Sequence, residues 1–367
     1  MRRLLLMLVM VGCALPTVAA RQVTLEQAEK ILAAFHRKPD AQVAALITGL
    51  ELTERPNNAW RKRINAELPG DWARDSLVAL ADRAEFLSPP AADIPALAPP
   101  DRTTRDALMV AAKNYVSQTI PKLPNFLATR VTTRFEDMPA MDTGLYYPAK
   151  TSYEPLHVVN IYRVVVLNRD GQELVDPGDS FEGILGSPES GLKTSGEFGP
   201  VLIALMADVF GGEVLWSRWE AGAAGPLAVF HYSVPWQQSH FMLLLPALWK
   251  NLQTPPAYHG EFTVDPASGA ILRVTIEAEM TADDPVTRAA LMVEYGPVEI
   301  GGKTFICPTR SVALSKTRII KMRHHKVNHA GWDDPNHGLQ QTELNDVQFI
   351  LYHQFRAETR IVTEGVQ

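Results

Sequence analysis

The densest chemistry in this sequence lies near its carboxyl end, where His324, His325, His329, Asp333, Asp334 and His337 crowd one short stretch. Imidazole nitrogens and carboxylate oxygens together suit a divalent metal, so a metal-dependent hydrolytic centre is one reading of it. The stretch also holds Gly331, Pro335, Asn336 and Gly338, the residue types of a solvated loop, and the loop is the simpler reading. No hydrolase motif accompanies it. There is no G-x-S-x-G elbow around Ser180, Ser187, Ser190 or Ser239, and no H-E-x-x-H. Ser239 and His240 are adjacent, which in an extended strand sends them to opposite faces, a poor geometry for a nucleophile and its base. The segment Gly296 to Thr304 falls short of a phosphate-binding loop, because Pro297 stands where the first glycine belongs. Cys307, between Ile306 and Pro308, has no neighbour that would lower its pKa and is expected to be a buried, inert thiol. No catalytic residue, metal ligand or cofactor is therefore assigned, and the chain reads as a non-enzymatic protein.

The amino terminus says where the protein goes. Met1-Arg2-Arg3, an apolar run from Leu4 to Val11, and Val18-Ala19-Ala20 before Arg21 follow the order of a secretory signal peptide over residues 1–20. A membrane span takes about 20 apolar residues, so this run is expected to be removed. The alternative is lipidation: Met10-Val11-Gly12-Cys13 approximates a lipobox, which would anchor the protein through Cys13. Cleavage at Ala20 fits the small-residue pattern better and leaves a periplasmic or secreted chain with Cys307 as its one cysteine, hence no internal disulfide. No later apolar segment is long and uninterrupted enough to span a membrane; Phe241 to Leu245 is broken by Pro246.

The 367 residues are 46% hydrophobic and 21% charged, ordinary globular usage. Losing Arg2 and Arg3 with the leader moves the net charge from −6 to −8. Mild acidity argues against nucleic acid or an anionic membrane surface as partner, since both favour basic faces.

Helical spacing dominates residues 22–87. Thr24 and Gln27 form a capping box ahead of Ala28, Ile31, Leu32 and Phe35, and Val43, Leu46, Ile47 and Leu50 resume the pattern after Pro39. Further helices are expected from Ala59 to Leu68 and from Trp72 to Phe86, the latter through Trp72, Leu77, Leu80 and Ala81. Residues 88–100 are proline-rich and read as a stiff linker between this small helical bundle and the rest, 101–367. A helix from Asp101 to about Ile120 opens the second part.

From Phe126 the period becomes two, the mark of strands with one buried face. Leu272, Val274, Ile276, Ala278 and Met280 alternate with Arg273, Thr275, Glu277 and Glu279; Asp265 to Gly269 is the turn from the preceding strand. Leu291, Val293 and Tyr295 lead through Gly301-Gly302 to Phe305 and Cys307 as another hairpin. Val347, Phe349, Leu351, His353 and Phe355 form the last inward stripe, with His353 expected as a packed ring. Short turns between consecutive strands imply an antiparallel sheet. One apolar helix interrupts them: Thr194 and Glu197 make a second capping-box pattern before Phe198, Val201, Leu202, Leu205, Met206 and Val209.

The order of helix, strands and apolar helix, then Tyr258 to Arg273 and Val293 to Lys303, resembles periplasmic proteins of the LolA and RseB type, the outer-membrane lipoprotein-sorting fold. It is most similar to uncharacterised exported bacterial proteins with such a carboxyl-terminal half. The likeness covers roughly residues 105–318. It implies an α+β chain: a small amino-terminal helical bundle, then an open, curved antiparallel sheet wrapped around helices as a half-barrel. In such families an apolar concavity receives a lipid acyl chain or a lipidated protein. The side chains expected to line it here are Phe198, Leu202, Leu205, Trp216, Phe230, Tyr232, Phe262, Leu272, Val274, Ile276 and Tyr295. A filled core, with the same fold serving as an envelope interaction or structural protein, is the alternative.

Overall fold

A computed structural model describes residues 20–35, 37–141, 151–175, 192, 194, 196–242, 255–281, 284–319 and 338–355. Residues 1–19 of the leader, Ser180, Ser187 and Ser190, Leu243 to Leu245, Trp249 and the histidine stretch 324–337 lie outside the described residues.

Four helices open the fold: α1 (Leu25–Phe35), α2 (Asp40–Thr48), α3 (Asn58–Glu67) and α4 (Asp71–Arg83). The capping box at α1 forms reciprocally, with the Thr24 amide donating to Gln27 Oε1 (3.0 Å) and the Gln27 amide to Thr24 Oγ1 (3.3 Å). Asn57 caps α3 by accepting from the Trp60 amide (2.8 Å). The cap of α4 comes from another helix. Asp40, at the start of α2, accepts from the Trp72 amide (3.1 Å) and the Ala73 amide (2.9 Å), an arrangement that brings it against Gly70. A Cβ at Gly70 would collide with the Asp40 carboxylate and displace it from its capping position. Trp72, expected on the buried side of α4, is 66% exposed; Ala73, Leu77 and Leu80 face the core instead. A short parallel ladder, β1 (Arg21–Val23) with β2 (Leu50–Leu52), ties the ends of α1 and α2 together, a pairing that helical spacing did not foretell.

The remaining strands form one open, antiparallel, ten-stranded sheet. They are β3 (Phe126–Met138), β4 (Glu154–Arg169), β5 (Gln172–Val175), β6 (Glu213–Ala221), β7 (Pro226–Val234), β8 (Tyr258–Val264), β9 (Ile271–Ala278), β10 (Val286–Ile300), β11 (Lys303–Arg318) and β12 (Gln340–Gln354). Their order is β5-β4-β3-β12-β11-β10-β9-β8-β7-β6, so the last strand, β12, lies between β3 and β11. The expected hairpins are present, with Gly301 and Gly302 at φ of 59° and 78° turning β10 into β11.

Each face of the sheet has its own cover. Helices α5 (Arg102–Thr119) and α6 (Pro200–Val209) lie on one, where Leu108, Ala112, Val116, Leu202 and Leu205 meet Phe230, Tyr232, Phe262, Val274, Ile276, Leu291, Val293 and Tyr295. Helix α4 lies on the other, where Ala79 packs on Phe135, Ala290, Met292, Val312, Leu314 and Leu344. The proline-rich segment 88–100 joins α4 to α5. It is tied down along its length: Asn57 Nδ2 donates to Asp93 (2.8 Å) and Trp219 Nε1 to the Ala98 carbonyl (2.9 Å).

Bulges correct the simple alternation in two strands. At β9 the ladder pairs Thr263 with Arg273 and Val264 with Ile271, so Leu272 is the extra residue and is only half-buried while Ile271 takes the core position. At β12 the register slips between Ile350 and His353. Leu351 adopts a φ of 54° and is 62% exposed, Tyr352 turns inward onto Phe126 and Phe198, and His353 is exposed, not packed.

The cover by α4 is held by buried charge. Asp82 and Glu85, 0% and 1% exposed at their side chains, sit at and just beyond the end of α4. Arg61 of α3 donates to both, with Nη1 2.9 Å from Asp82 Oδ1. From the sheet, Arg310 also reaches both, its Nη1 2.9 Å from Glu85, while its Nε donates to Asp346 (2.9 Å). Arg273 donates to Glu85 Oε2 (3.1 Å) and to the Glu85 carbonyl. Beyond these, Arg55 pairs with Glu220, and Arg218 holds Glu261 through two bonds of 2.7 Å. Burial pulls Glu294 upward, but Arg310, Arg273 and Arg61 outweigh it and hold the carboxyl below its ordinary value. Removing one partner of such a buried pair leaves an uncompensated charge. Glu85→Ala, which takes from Arg273 its hydrogen-bonded carboxylate and leaves Arg61 and Arg310 with Asp82 and Asp346, should lower unfolding stability by about 3–5 kcal/mol in urea titration. Glu26→Ala, which removes the exposed pair with Lys30, should leave the midpoint in place.

Candidate functional site

A cavity of about 220 Å³ opens beside α6 on the face that α5 and α6 cover. Pro200, Val201, Ala204 and Leu205 of α6 form one wall, and Tyr258, Ile276 and Leu291 of the sheet another. Leu192, Thr194 and the strip His240, Phe241 and Met242 complete it. The lining is apolar apart from Thr194, His240 and the hydroxyl of Tyr258. A second depression of about 500 Å³, at Gly211 to Glu213, Ser233 to Trp236, Ala257 and Glu279, is a surface groove at the β6–β7 end without an apolar wall of this kind.

Of the side chains expected to line a cavity, Leu205 and Ile276 do so. Leu202, Phe230, Tyr232, Phe262, Val274 and Tyr295 are packed inside the core between helices and sheet. Phe230 and Phe262 stack with their ring centroids 5.4 Å apart. Phe198 belongs to a separate aromatic cluster with Phe126 and Phe349, both 5.2 Å away between centroids. Trp216 is half-buried on the edge strand β6 against Trp219 (4.9 Å), and Leu272 sits half-buried at its bulge, outside the cavity lining. Trp236 is exposed. Most of the anticipated concavity is thus occupied by the protein's own side chains.

The polar edge of the cavity was not visible from sequence spacing. Asp208, the one charged residue of α6, is fully buried near the helix end and gathers three bonds. The His240 amide donates to Oδ2 (2.8 Å), the Tyr258 hydroxyl to Oδ2 (2.7 Å), and His240 Nδ1 meets Oδ1. The His240 side chain is 71% exposed, and its hydrogen bond and proximity to the Asp208 carboxylate raise its pKa. Burial first, then Asp208, pushes the Tyr258 phenol upward, which keeps it a neutral donor. An aspartate in an otherwise apolar helix was the available signal; its partners, 32 and 50 residues away in sequence, were not.

The wall at Thr194 is fixed from behind. Arg130 donates to the Thr194 carbonyl (2.9 Å) and hydroxyl (2.7 Å) and lies 3.5 Å from the buried Glu197 carboxylate, which also accepts from Ser311 (3.3 Å). Glu197 therefore does not close a capping box: α6 begins at Pro200 with Gly199 as its N-cap and no side-chain cap. Glu173 of β5 accepts from the Gly196 amide (2.8 Å). Burial, then the charge of Glu197, pushes Glu173 up to about 7 against the pull of Arg130. Cys307 is buried, and burial alone raises its thiol to about 12, in keeping with an inert side chain.

Together these features define an α+β protein with an open antiparallel sheet, helices on both faces, and a small apolar cavity with a histidine-bearing edge. No protein-family model, no curated protein and no solved structure matches the chain. Among the described residues no helix is long and apolar enough to cross a membrane.

Glu173 yields a pH test. A carboxyl held near 7 in the fold but ionising near its ordinary 4.5 when unfolded costs stability progressively across that interval and by a constant amount above it. Glu173→Gln should therefore gain thermal stability over wild type between about pH 4.5 and 7, with a constant advantage above and none below. Melting curves that run parallel across the series would show that Glu173 is ionised in the fold.

Proposed function

We propose that this chain is an exported binding protein that takes an apolar chain, either a lipid acyl group or the acyl group of a lipidated partner, into the cavity beside α6. The cavity carries the reading. Leu192, Val201, Leu205, Phe241, Met242, Ile276 and Leu291 give it walls that suit a hydrocarbon, next to exposed Met242 and His240 where a chain could enter. Its volume lies below the roughly 300–1,000 Å³ of drug-sized ligand sites, which points to one chain and not a whole multi-chain lipid. The leader-like residues 1–20 support a site of action in the periplasm or outside the cell, or at a membrane surface if Cys13 is lipidated. The likeness to the lipoprotein-sorting type, with its half-barrel and acyl-binding concavity, supports the same ligand class.

A second reading has its own observation. Tyr232 and Phe262 are fully buried and α5 and α6 fill most of the covered face, as suits an envelope interaction protein whose helical unit meets a partner. One substitution separates the two. Ala204 faces the cavity, and Ala204→Trp would fill much of it. If the cavity binds acyl chains, the variant should retain the wild-type melting temperature and lose about tenfold or more in affinity for a fluorescent acyl probe added to delipidated protein. Wild-type protein that binds no probe, and carries no lipid in native mass spectrometry when prepared without detergent, would leave the filled-core reading.

A further inference from the structure

The polar groups at the cavity go further than an apolar ligand. We infer that the site selects single-chain amphiphiles whose headgroup is an acid, a carboxylate or phosphate monoester, with the tail among the α6 side chains and the head on His240 and Thr194. The inference rests on the acyl-binding reading and adds the headgroup to it.

Three observations carry it. First, Asp208 occupies both the backbone amide and Nδ1 of His240, so the ring's orientation is set by a buried carboxylate and Nε2 is the nitrogen left to face a ligand. Among the described residues no bond to Nε2 is present. Second, the other polar groups are already engaged by the protein itself. The Tyr258 hydroxyl is spent on Asp208, and the Thr194 hydroxyl oxygen and carbonyl both accept from Arg130. The Thr194 hydroxyl can still donate its proton. What the cavity offers a headgroup is therefore a pair of donors, the imidazolium Nε2–H and the Thr194 O–H, which match an anionic acceptor. Third, Asp208 supports the charged ring. It is the one ionisable side chain of α6 that faces His240; from the sheet the facing group is Tyr258, neutral and pointed at the same carboxylate. Against these stands the acidic net charge, but recognition by one oriented imidazolium needs no basic face. When His240 loses its proton, the remaining one stays on Nδ1 toward Asp208, and Nε2 becomes an acceptor that repels an acidic head. Preference for the acid must then vanish as pH rises through the histidine's range.

The experiment uses delipidated full-length protein and competition of dodecanoate, dodecyl phosphate and dodecanol against a fluorescent acyl probe, at about pH 6 and about pH 9. The two acids should outcompete the alcohol by about tenfold at the lower pH and by little at the higher. His240→Gln should erase the acid-to-alcohol ratio at both. His240→Arg, which keeps a charge that does not titrate here, should preserve the ratio at both. If all three ligands bind and the ratio is the same in wild type and His240→Gln, headgroup selection by His240 is wrong while acyl binding stands. If none of the three displaces the probe or binds, the acyl-binding reading fails, and the headgroup inference with it.

Discussion

Everything else in this fold depends on the buried ion network that joins α4 to the sheet. Two carboxylates, Asp82 and Glu85, receive Arg61 from the neighbouring helix and Arg273 and Arg310 from β9 and β11. Buried charges are costly to desolvate, and their attraction offsets that cost only in good geometry. A face of sheet bearing Arg273, Glu294, Arg310 and Asp346 can be covered only by a helix that brings matching charge to those positions. Apolar surface alone would let α4 slide; the arginines set its register. Burial, reinforced by Arg55, pulls Arg273 down to about 9, still protonated at neutral pH, so the pairing with Glu85 holds there.

With one face committed to α4, the other is free to be almost wholly apolar. That division explains why α5 and α6 share a face, and why the chain between α4 and α5 is a tethered, proline-rich segment: it must pass from one side of the sheet to the other. It also explains the place of β12. The strands before α6 and those after it are separate runs, β3 to β5 and β6 to β11, and only the last strand hydrogen-bonds to both. The aromatic cluster of Phe126, Phe198, Phe349 and Tyr352 lies across that join, so the segment entering α6 is packed onto the strands that complete the sheet.

The candidate site sits where the two organising themes meet. Its walls come from the apolar face, and its edges from isolated buried polar groups, Asp208 on one side and the Arg130–Glu197–Glu173 set on the other. Each of these holds residues outside the regular elements, 239–242 in the first case and Thr194, Gly196 and Glu197 in the second. Buried polar groups used in this way fix loops that apolar packing would leave adaptable.

Local pattern was enough for much of this. The helices with the capping box at Thr24, the hairpins at Asp265 to Gly269 and Gly301-Gly302, the antiparallel sheet and the inward stripe of Leu291, Val293 and Tyr295 follow from periodicity and turn chemistry, which act over a few residues. The failures fall where local pattern is overruled. Leu272 and Leu351 keep a strand's alternation in the sequence, but bulges shift them out of the core, and a bulge depends on the neighbouring strand. Thr194 and Glu197 have the spacing of a cap, yet Arg130 and Ser311, far away in the chain, claim their oxygens. Arg273 looks like a solvated residue opposite Val274 until α4 covers it. The cavity belongs to the same class: Leu205 and Ile276 were legible as apolar, but whether an apolar residue lines a space or fills one is decided by volume among many partners. The bonds from Asp208 to His240 and Tyr258 exist only because the fold brings α6 against β8, and no spacing within a short window encodes that distance.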